Sequence, residues 1–219
     1  VLLWSGGCDS TLVLSNLARD STENNPVRTL AVIHPDVKAM EEQSAARKKV
    51  LKWMKGKGHH VLHQEVEFKH SSESVLCPSL DGVRTGSGAN QYPIWLVAAL
   101  SYLEVEEDLH VGYIRGDDIW EFHHDMQESF KSLLRIVGKK GELKFPLDRT
   151  KKTDVIDRLK DRGLYDLTWH CETPRKGERC GTCDPCIKHD VSLYELELNK
   201  KRWDLTETAF AKVGPRRKK

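Results

Sequence analysis

Short apolar runs alternate with longer amphipathic stretches along this chain. Residues 1–4 are Val-Leu-Leu-Trp and stop at Ser5-Gly6-Gly7, the pattern of a strand that ends in a turn. Over residues 9–19, Leu12, Val13, Leu17 and Ala18 recur close to helical period. Residues 28–33 predict a second strand, closed by His34-Pro35. Residues 38–55 set Met40, Ala45, Val50, Leu51 and Met54 among many charges, which predicts a helix with one wet face, stopped by Gly56 and Gly58. A third strand is expected over residues 60–66.

Residues 67–88 carry little periodicity and hold Ser, Gly and Pro, so a long loop is expected there. Residues 90–102 predict an apolar, buried helix, and residues 109–113 a fourth strand. Over residues 121–137, Phe122, Met126, Phe130, Leu133, Leu134 and Val137 share one side of a helix. Phe145-Pro146-Leu147 is a brief extended piece. Val155, Ile156 and Leu159 mark a helix over residues 150–162, which Gly163 closes. Residues 168–187 form a cysteine-rich knuckle, with a short helix over residues 187–198.

This alternation predicts an α/β fold: a doubly wound parallel sheet with helices on both faces. In such sheets ligands bind beyond the carboxyl ends of the strands. The first of those ends is Ser5-Gly6-Gly7-Cys8-Asp9-Ser10-Thr11. The 219 residues (25.0 kDa) correspond to one large domain with a small appendage, at roughly 100–200 residues per domain. We expect an ATP-binding unit at 1–166, a metal knuckle at 167–198 and a tail at 199–219 that ends in Arg216-Arg217-Lys218-Lys219.

Charge and cysteine usage narrow the function classes. Thirty-five basic and 33 acidic residues leave a net charge of +2, which argues against a broad basic face for a nucleic-acid duplex. The apolar runs are far shorter than the ~20 residues of a membrane span. Residues 1–4 lack the basic flank of a secretory signal, so a cytoplasmic location is expected. Of six cysteines, Cys8 and Cys77 stand alone and four crowd into residues 171–186. Such a cluster reads as metal ligands in a reducing compartment.

The heptapeptide after the first strand is the most informative stretch. Gly6 and Gly7 permit a sharp turn and a close backbone approach to a ligand. Ser10 and Thr11 fall in the first turn of the following helix, where unpaired amides and the positive dipole end favour an anion. Ser5, Ser10 and Thr11 add hydroxyls, completing a seat for a di- or triphosphate. The stretch lacks the Gly-Lys-Ser/Thr ending of a Walker loop and the G-x-G-x-x-G of a dinucleotide fold. The plainer alternative is a strand, a turn and a helix capped by Asp9. Cys8 reads as a spacer within the loop.

Cys171, Cys180, Cys183 and Cys186 are spaced C-x8-C-x2-C-x2-C. Four thiolates suit a closed, tetrahedral, structural Zn²⁺ site. A disulfide pair and an iron–sulfur cluster are the alternatives that this spacing leaves open. His170 stands beside the first cysteine.

Ser5-Gly6-Gly7-Cys8-Asp9-Ser10 resembles the SGGxDS signature of PP-loop ATP pyrophosphatases, and its combination with the cysteine spacing resembles the 7-cyano-7-deazaguanine synthase (QueC) family over residues 1 to about 190. Leu167-Thr168-Trp169-His170-Cys171 is similar to the family's Thr-Trp-Ser-Cys stretch. Pro146-Leu147 followed by Lys152, Asp154 and Ile156 is similar to its Pro-Leu…Thr-Lys-x-Glu-Ile helix. The resemblance implies that ATP adenylates the carboxylate of 7-carboxy-7-deazaguanine and that ammonia displaces AMP. A second activation then gives the nitrile. Mg²⁺ accompanies ATP, and Zn²⁺ is structural.

On this resemblance, Ser5, Gly6, Gly7, Cys8, Asp9, Ser10, Thr11, Val32 and His34 hold the nucleotide. Ser5, Asp9, Ser10 and Lys152 serve the chemistry. Asn90, Asp117, Asp118 and Asp125 face the deazapurine, because a carboxylate accepts hydrogen bonds from its N–H edge. Asp117 and Asp118 are also candidates for Mg²⁺. The chain departs from the family pattern at Ala89, which stands in place of an arginine, at His34-Pro35 and at His123-His124-Asp125. These departures leave two alternatives: a relative that stops at the amide or joins a deazaguanine to a protein acceptor, as in anti-phage defence, and a non-catalytic nucleotide-binding adaptor. A homodimer is compatible with either.

Overall fold

The computed structural model describes residues 1–33, 37–67 and 92–212; the expected loop at 67–88 falls almost wholly outside them. Five strands form one parallel sheet: β1 (Leu2–Leu3), β2 (Val27–Ile33), β3 (Val61–Glu67), β4 (Leu109–His110) and β5 (Leu143–Lys144), in the spatial order β3-β2-β1-β4-β5. Leu2 stands opposite Thr29 on one side and His110 on the other. Val27 to Ile33 pair residue by residue with Val61 to Glu67. Strand order therefore reverses at β1, and the crevice of such a sheet opens between β1 and β4.

Among the described residues, six α-helices complete the fold: α1 (Cys8–Leu17), α2 (Met40–Gly56), α3 (Tyr92–Leu100), α4 (His123–Ile136), α5 (Lys152–Asp161) and α6 (Asp184–Lys212). They lie in two layers, because side chains alternate across a strand. Leu2 and Trp4 point into a core with Leu12, Val13, Val50, Met54, Val155 and Leu159, from α1, α2 and α5. Val1 and Leu3 point to the other face, toward Leu96, Ala99, Met126, Phe130 and Leu134 of α3 and α4. The sheet thus has helices on both faces, as the alternation predicts.

Four elements differ from the sequence pattern for local reasons. The extended piece expected at Phe145-Pro146-Leu147 pairs instead at Leu143–Lys144, just ahead of Pro146, which has no amide to donate to a ladder. α1 starts at Cys8, so Gly7 is its cap and Asp9 lies inside the first turn rather than capping it. β4 is only two residues long, but Ile114 and Leu147 bridge in parallel beyond it and prolong the β4–β5 edge. The final helix begins at Asp184 and continues through residue 198 to Lys212. Among the described residues no helix is long and apolar enough to cross a membrane.

Gly112, just past β4, lets the crevice close tightly. A Cβ there would stand 2.6 Å from the Ser10 amide nitrogen and 2.7 Å from its Cα. Backbone cannot yield as a flexible side chain does. Gly112→Ala therefore displaces the start of α1, and we expect a loss of ~1–3 kcal/mol, measured as a lower urea midpoint.

Candidate functional site

The turn after β1 is held from behind by two separate segments, α2 and residues 168–169. Gly6 adopts φ +90°, and a Cβ on it would meet the Gln43 carbonyl at 2.9 Å and the Arg47 Cγ at 3.1 Å. The Arg47 guanidinium donates to the Ser5 carbonyl at 2.9 Å and to the Glu65 carboxylate at 2.8 and 3.0 Å. The Trp169 amide donates to the Gly6 carbonyl at 3.1 Å. The Cys8 thiol and the Thr168 hydroxyl stand 3.1 Å apart. Arg47 is wholly buried on α2. Nothing in the sequence sets it apart from Lys48 and Lys49, which follow it directly.

With these carbonyls tied back, the Gly6 and Gly7 amides, which share their peptide planes, are turned the opposite way. The Gly7 amide donates to Ser5 Oγ at 3.2 Å, and Ser5 Oγ lies 3.2 Å from Ser10 Oγ. The Thr11 amide already closes onto the Gly7 carbonyl at 3.0 Å. The amides of Cys8, Asp9 and Ser10 lie ahead of that first helical bond and have no partner within the helix. At the positive end of α1, amides so placed can seat an anion. Thr11 itself turns inward. It is fully buried, and its hydroxyl accepts from the Trp4 indole at 3.0 Å, so it ties α1 to β1.

A charged trio borders this seat. Lys152, at the start of α5, pairs with Asp9 Oδ2. Asp9 Oδ1 is buried and unpartnered. Burial alone would lower the Lys152 pKa, but the Asp9 carboxylate outweighs it and holds the ammonium above the usual lysine range. Asp117 accepts from the Ile114 amide at 2.9 Å, and burial, with Asp9 adding to it, pushes its pKa up to about 6. Burial also raises the Cys8 thiol, against the pull of Lys152. Cys8 is therefore a neutral thiol.

The other expected site residues are dispersed. Asp118 opens a 3₁₀ turn, Asp118–Phe122, that leads into α4. Asp125 is exposed in the first turn of α4, one turn past the stacked Trp120 and His123 rings, whose centroids are 4.5 Å apart. Val32 lies within β2 opposite Val66, while the next residue, Ile33, lines a cavity of about 420 Å³ with Met40, Ser44 and Glu65. His34 and Asn90 lie outside the described residues.

A second cavity of about 420 Å³ lies between α2 and the segment before the knuckle, bordered by Glu42, Ala46, Trp169, His170 and His189. The His170 and His189 rings stack with centroids 3.7 Å apart. His189 and the Tyr165 hydroxyl share a 2.6 Å hydrogen bond.

The four knuckle cysteines converge. Their sulfurs all lie within 4.8 Å of one another, and Cys171 Sγ and Cys183 Sγ are 3.9 Å apart. Four ligands at ~2.3 Å on a tetrahedron stand roughly 3.8 Å apart, so the spacing suits one ion. A cubane binds each cysteine on a different iron, which sets the sulfurs wider. A hydrogen bond from the Thr173 hydroxyl, followed by those from the Thr182 and Cys183 amides, holds the Cys180 thiol well below its ordinary range. Such bonds favour the thiolate that a metal requires.

Fold and site together define an α/β protein with a PP-loop-like Ser-Gly-Gly-x-Asp-Ser turn at the carboxyl end of its first parallel strand. The family model described as "Queuosine biosynthesis protein QueC" matches residues 1–197, and the chain belongs to that family. Among solved structures, the chain is similar to the U34-tRNA thiolase NcsA from Methanococcus maripaludis with its [4Fe-4S] cluster, at 16% identity and a TM-score of 0.45. The match covers 91% of this chain and 66% of that one. No curated protein matches the chain.

Asp117 gives this site a pH signature. Folding raises its pKa from 3.8 to about 6, so the folded state binds the proton more tightly than the unfolded one. Its contribution to stability is fullest below the lower value and is lost as pH rises through the higher one. Asp117→Asn abolishes that loss. Relative to wild type, the variant gains roughly 1–3 kcal/mol between about pH 4 and 6.5, read from denaturation midpoints across that range.

Proposed function

We propose that this protein activates the carboxylate of 7-carboxy-7-deazaguanine with ATP and converts it with ammonia to 7-cyano-7-deazaguanine. The observation that carries the reading is the helix start at Cys8–Ser10, whose amides lie ahead of the first helical bond, beside the Asp9–Lys152 pair in a chain of the QueC family. A substrate carboxylate oxygen attacks the α-phosphorus of ATP, and the bond to pyrophosphate breaks. The nitrogen lone pair of ammonia then attacks the acyl carbon, AMP leaves, and a proton is lost to give the amide. A second ATP adenylates the amide oxygen. Departure of AMP, with loss of the nitrogen protons, leaves the nitrile.

Each part of the site has a role in this scheme. Negative charge grows on the departing pyrophosphate. The amides of Cys8, Asp9 and Ser10, the hydroxyls of Ser5 and Ser10, and the Lys152 ammonium stabilise that charge, while the Gly7 amide holds the Ser5 hydroxyl. Gly6 acts through the turn it permits. Val32 and His34 would hold the nucleoside, as the family resemblance implies. Asp9 Oδ1, buried and unpartnered, fits a cation, and with Asp117 it would hold the Mg²⁺ that accompanies ATP. That ion supplies charge neutralisation on the phosphates. Asn90, Asp118 and Asp125 belong to the substrate side. Cys171, Cys180, Cys183 and Cys186 would hold a structural Zn²⁺.

Pyrophosphate release in the presence of ATP, Mg²⁺, ammonia and the acid tests the scheme, with products followed by mass spectrometry. Release that depends on the acid, and a nitrile product, are expected. Lys152→Met should slow release by ~10²–10³-fold, the usual effect of removing a transition-state donor. No acid-dependent release from metal-replete protein would overturn the reading. An amide or protein-conjugate product would replace it with the alternative acceptor chemistry.

The knuckle has its own test. Elemental analysis should find one zinc per chain. A thiol-competing chelator, or Cys186→Ser, should remove it and lower the unfolding midpoint, because metal binding and folding of so small a segment are linked. Chelation that leaves the midpoint unmoved would remove the structural role.

A further inference from the structure

α2 carries a charge imbalance that the net charge of +2 conceals. Residues 43–64 hold six basic residues, Arg47, Lys48, Lys49, Lys52, Lys55 and Lys57, and no acid. Arg47 is engaged by Ser5 and Glu65. The five lysines are exposed, and none has a carboxylate partner among the described residues. At ~3.6 residues per turn, Lys48, Lys52 and Lys55 fall on one stripe, with Lys49 beside it. Like charges four residues apart on a helix repel, so the stripe lacks an anionic partner. Lys49 also lines the cavity of about 420 Å³ between α2 and the segment before the knuckle. On the far wall, exposed Lys160 lies over the Tyr165 ring at 5.0 Å. The exposed pair Arg175-Lys176 adjoins Gly177, which lines the cavity too. Three polar atoms of the lining residues are buried and unpartnered: Glu42 Oε2, His170 Nε2 and His189 Nδ1. Such atoms rarely stay unpaired in a working protein.

We propose that the lysine stripe of α2 and this cavity form a binding surface for single-stranded nucleic acid, with phosphates on the lysines and one unstacked guanine in the cavity. From Lys48 to Lys55 the stripe climbs about 10 Å at ~1.5 Å per residue, room for about three phosphates at ~3.4 Å each along a strand. The cavity lies within the ~300–1,000 Å³ of small-ligand pockets, and Tyr165, Trp169, His170 and His189 give it ring faces on which a base can stack. The Glu42 carboxylate repels a phosphate there but accepts from the adjacent N1–H and 2-amino donors of guanine. Uracil, cytosine and adenine do not present that pair of donors. The two imidazole nitrogens pair with the remaining base edge and ribose hydroxyl. An acidic peptide would satisfy the lysines but would set its carboxylates against Glu42. A duplex keeps its bases stacked and out of the cavity. No residue of stripe or cavity belongs to the ATP and deazapurine sites proposed above.

Fluorescence anisotropy of labelled RNA strands of about 12 nucleotides, titrated with the full, metal-loaded chain, tests this. An all-uridine strand should bind in the micromolar range at about 50 mM salt, and log K should fall with log salt at a slope of about −3, the value for four phosphate contacts. Lys48→Ala, Lys52→Ala and Lys55→Ala together should weaken binding by about ten-fold or more and flatten the slope to about −1. The thermal unfolding midpoint should not fall, since all three side chains are exposed and unpaired. One central guanine should tighten binding by about five-fold or more, a single good base contact, and Glu42→Gln should erase that gain while leaving the all-uridine strand bound as before. No binding up to about 100 µM protein, or binding indifferent to the three lysine changes, would overturn the proposal. Polyglutamate of equal charge bound as tightly would assign the stripe to an acidic protein instead, and an RNA duplex bound as tightly would remove the single-strand requirement. A central guanine without effect would overturn the assignment of the cavity to a base.

Discussion

Two carbonyl groups of the Ser5-Gly6-Gly7 turn are tied back by distant parts of the chain. Arg47 holds the Ser5 carbonyl and the Trp169 amide holds the Gly6 carbonyl. A peptide plane whose oxygen points inward has its N–H pointing out, so these bonds decide which way the turn presents its donors. The positive φ of Gly6 is the conformation that lets this happen while α2 presses close behind. Arg47 is a charge taken wholly out of water, and it is tolerable only because Glu65 and the Ser5 carbonyl accept from it. Its role is to position the turn.

The same geometry links the two ends of the sequence. Thr168 and Trp169 touch the loop at Cys8 and Gly6, and two residues later the chain reaches Cys171, the first sulfur of the knuckle. α6 begins among those sulfurs and packs on α5, whose first residue, Lys152, reaches Asp9. In the proposed reading, the metal therefore matters to catalysis by fixing backbone, since a loosened knuckle releases the Gly6 carbonyl.

Asp9, Lys152 and Asp117 show why three common residue types become unusual together. Two acids and one base share a poorly solvated corner of the crevice. Asp9 takes the cation, and Asp117 is left with a backbone amide and a raised pKa. A divalent ion beside Asp9 would relieve the charge imbalance on both acids. In the proposed reading, this corner receives the phosphates and cation of the nucleotide, whichever carboxylate is activated.

Much of this was legible in the chain itself. Periodicity fixed the α/β class, the two-sided sheet and most element boundaries, because the alternation of buried and exposed positions is set locally by strand and helix geometry. The Ser-Gly-Gly…Asp-Ser-Thr run and the cysteine spacing likewise announce their chemistry over a few residues. What folding alone decided is long-range. That Thr11 turns inward to Trp4, that Arg47 reaches Ser5, that Gly112 lies against Ser10 and that Trp169 meets Gly6 depend on segments brought together from tens of residues away. No local pattern records a contact between remote segments. The direction in which a loop's amides point is set by what lies behind them.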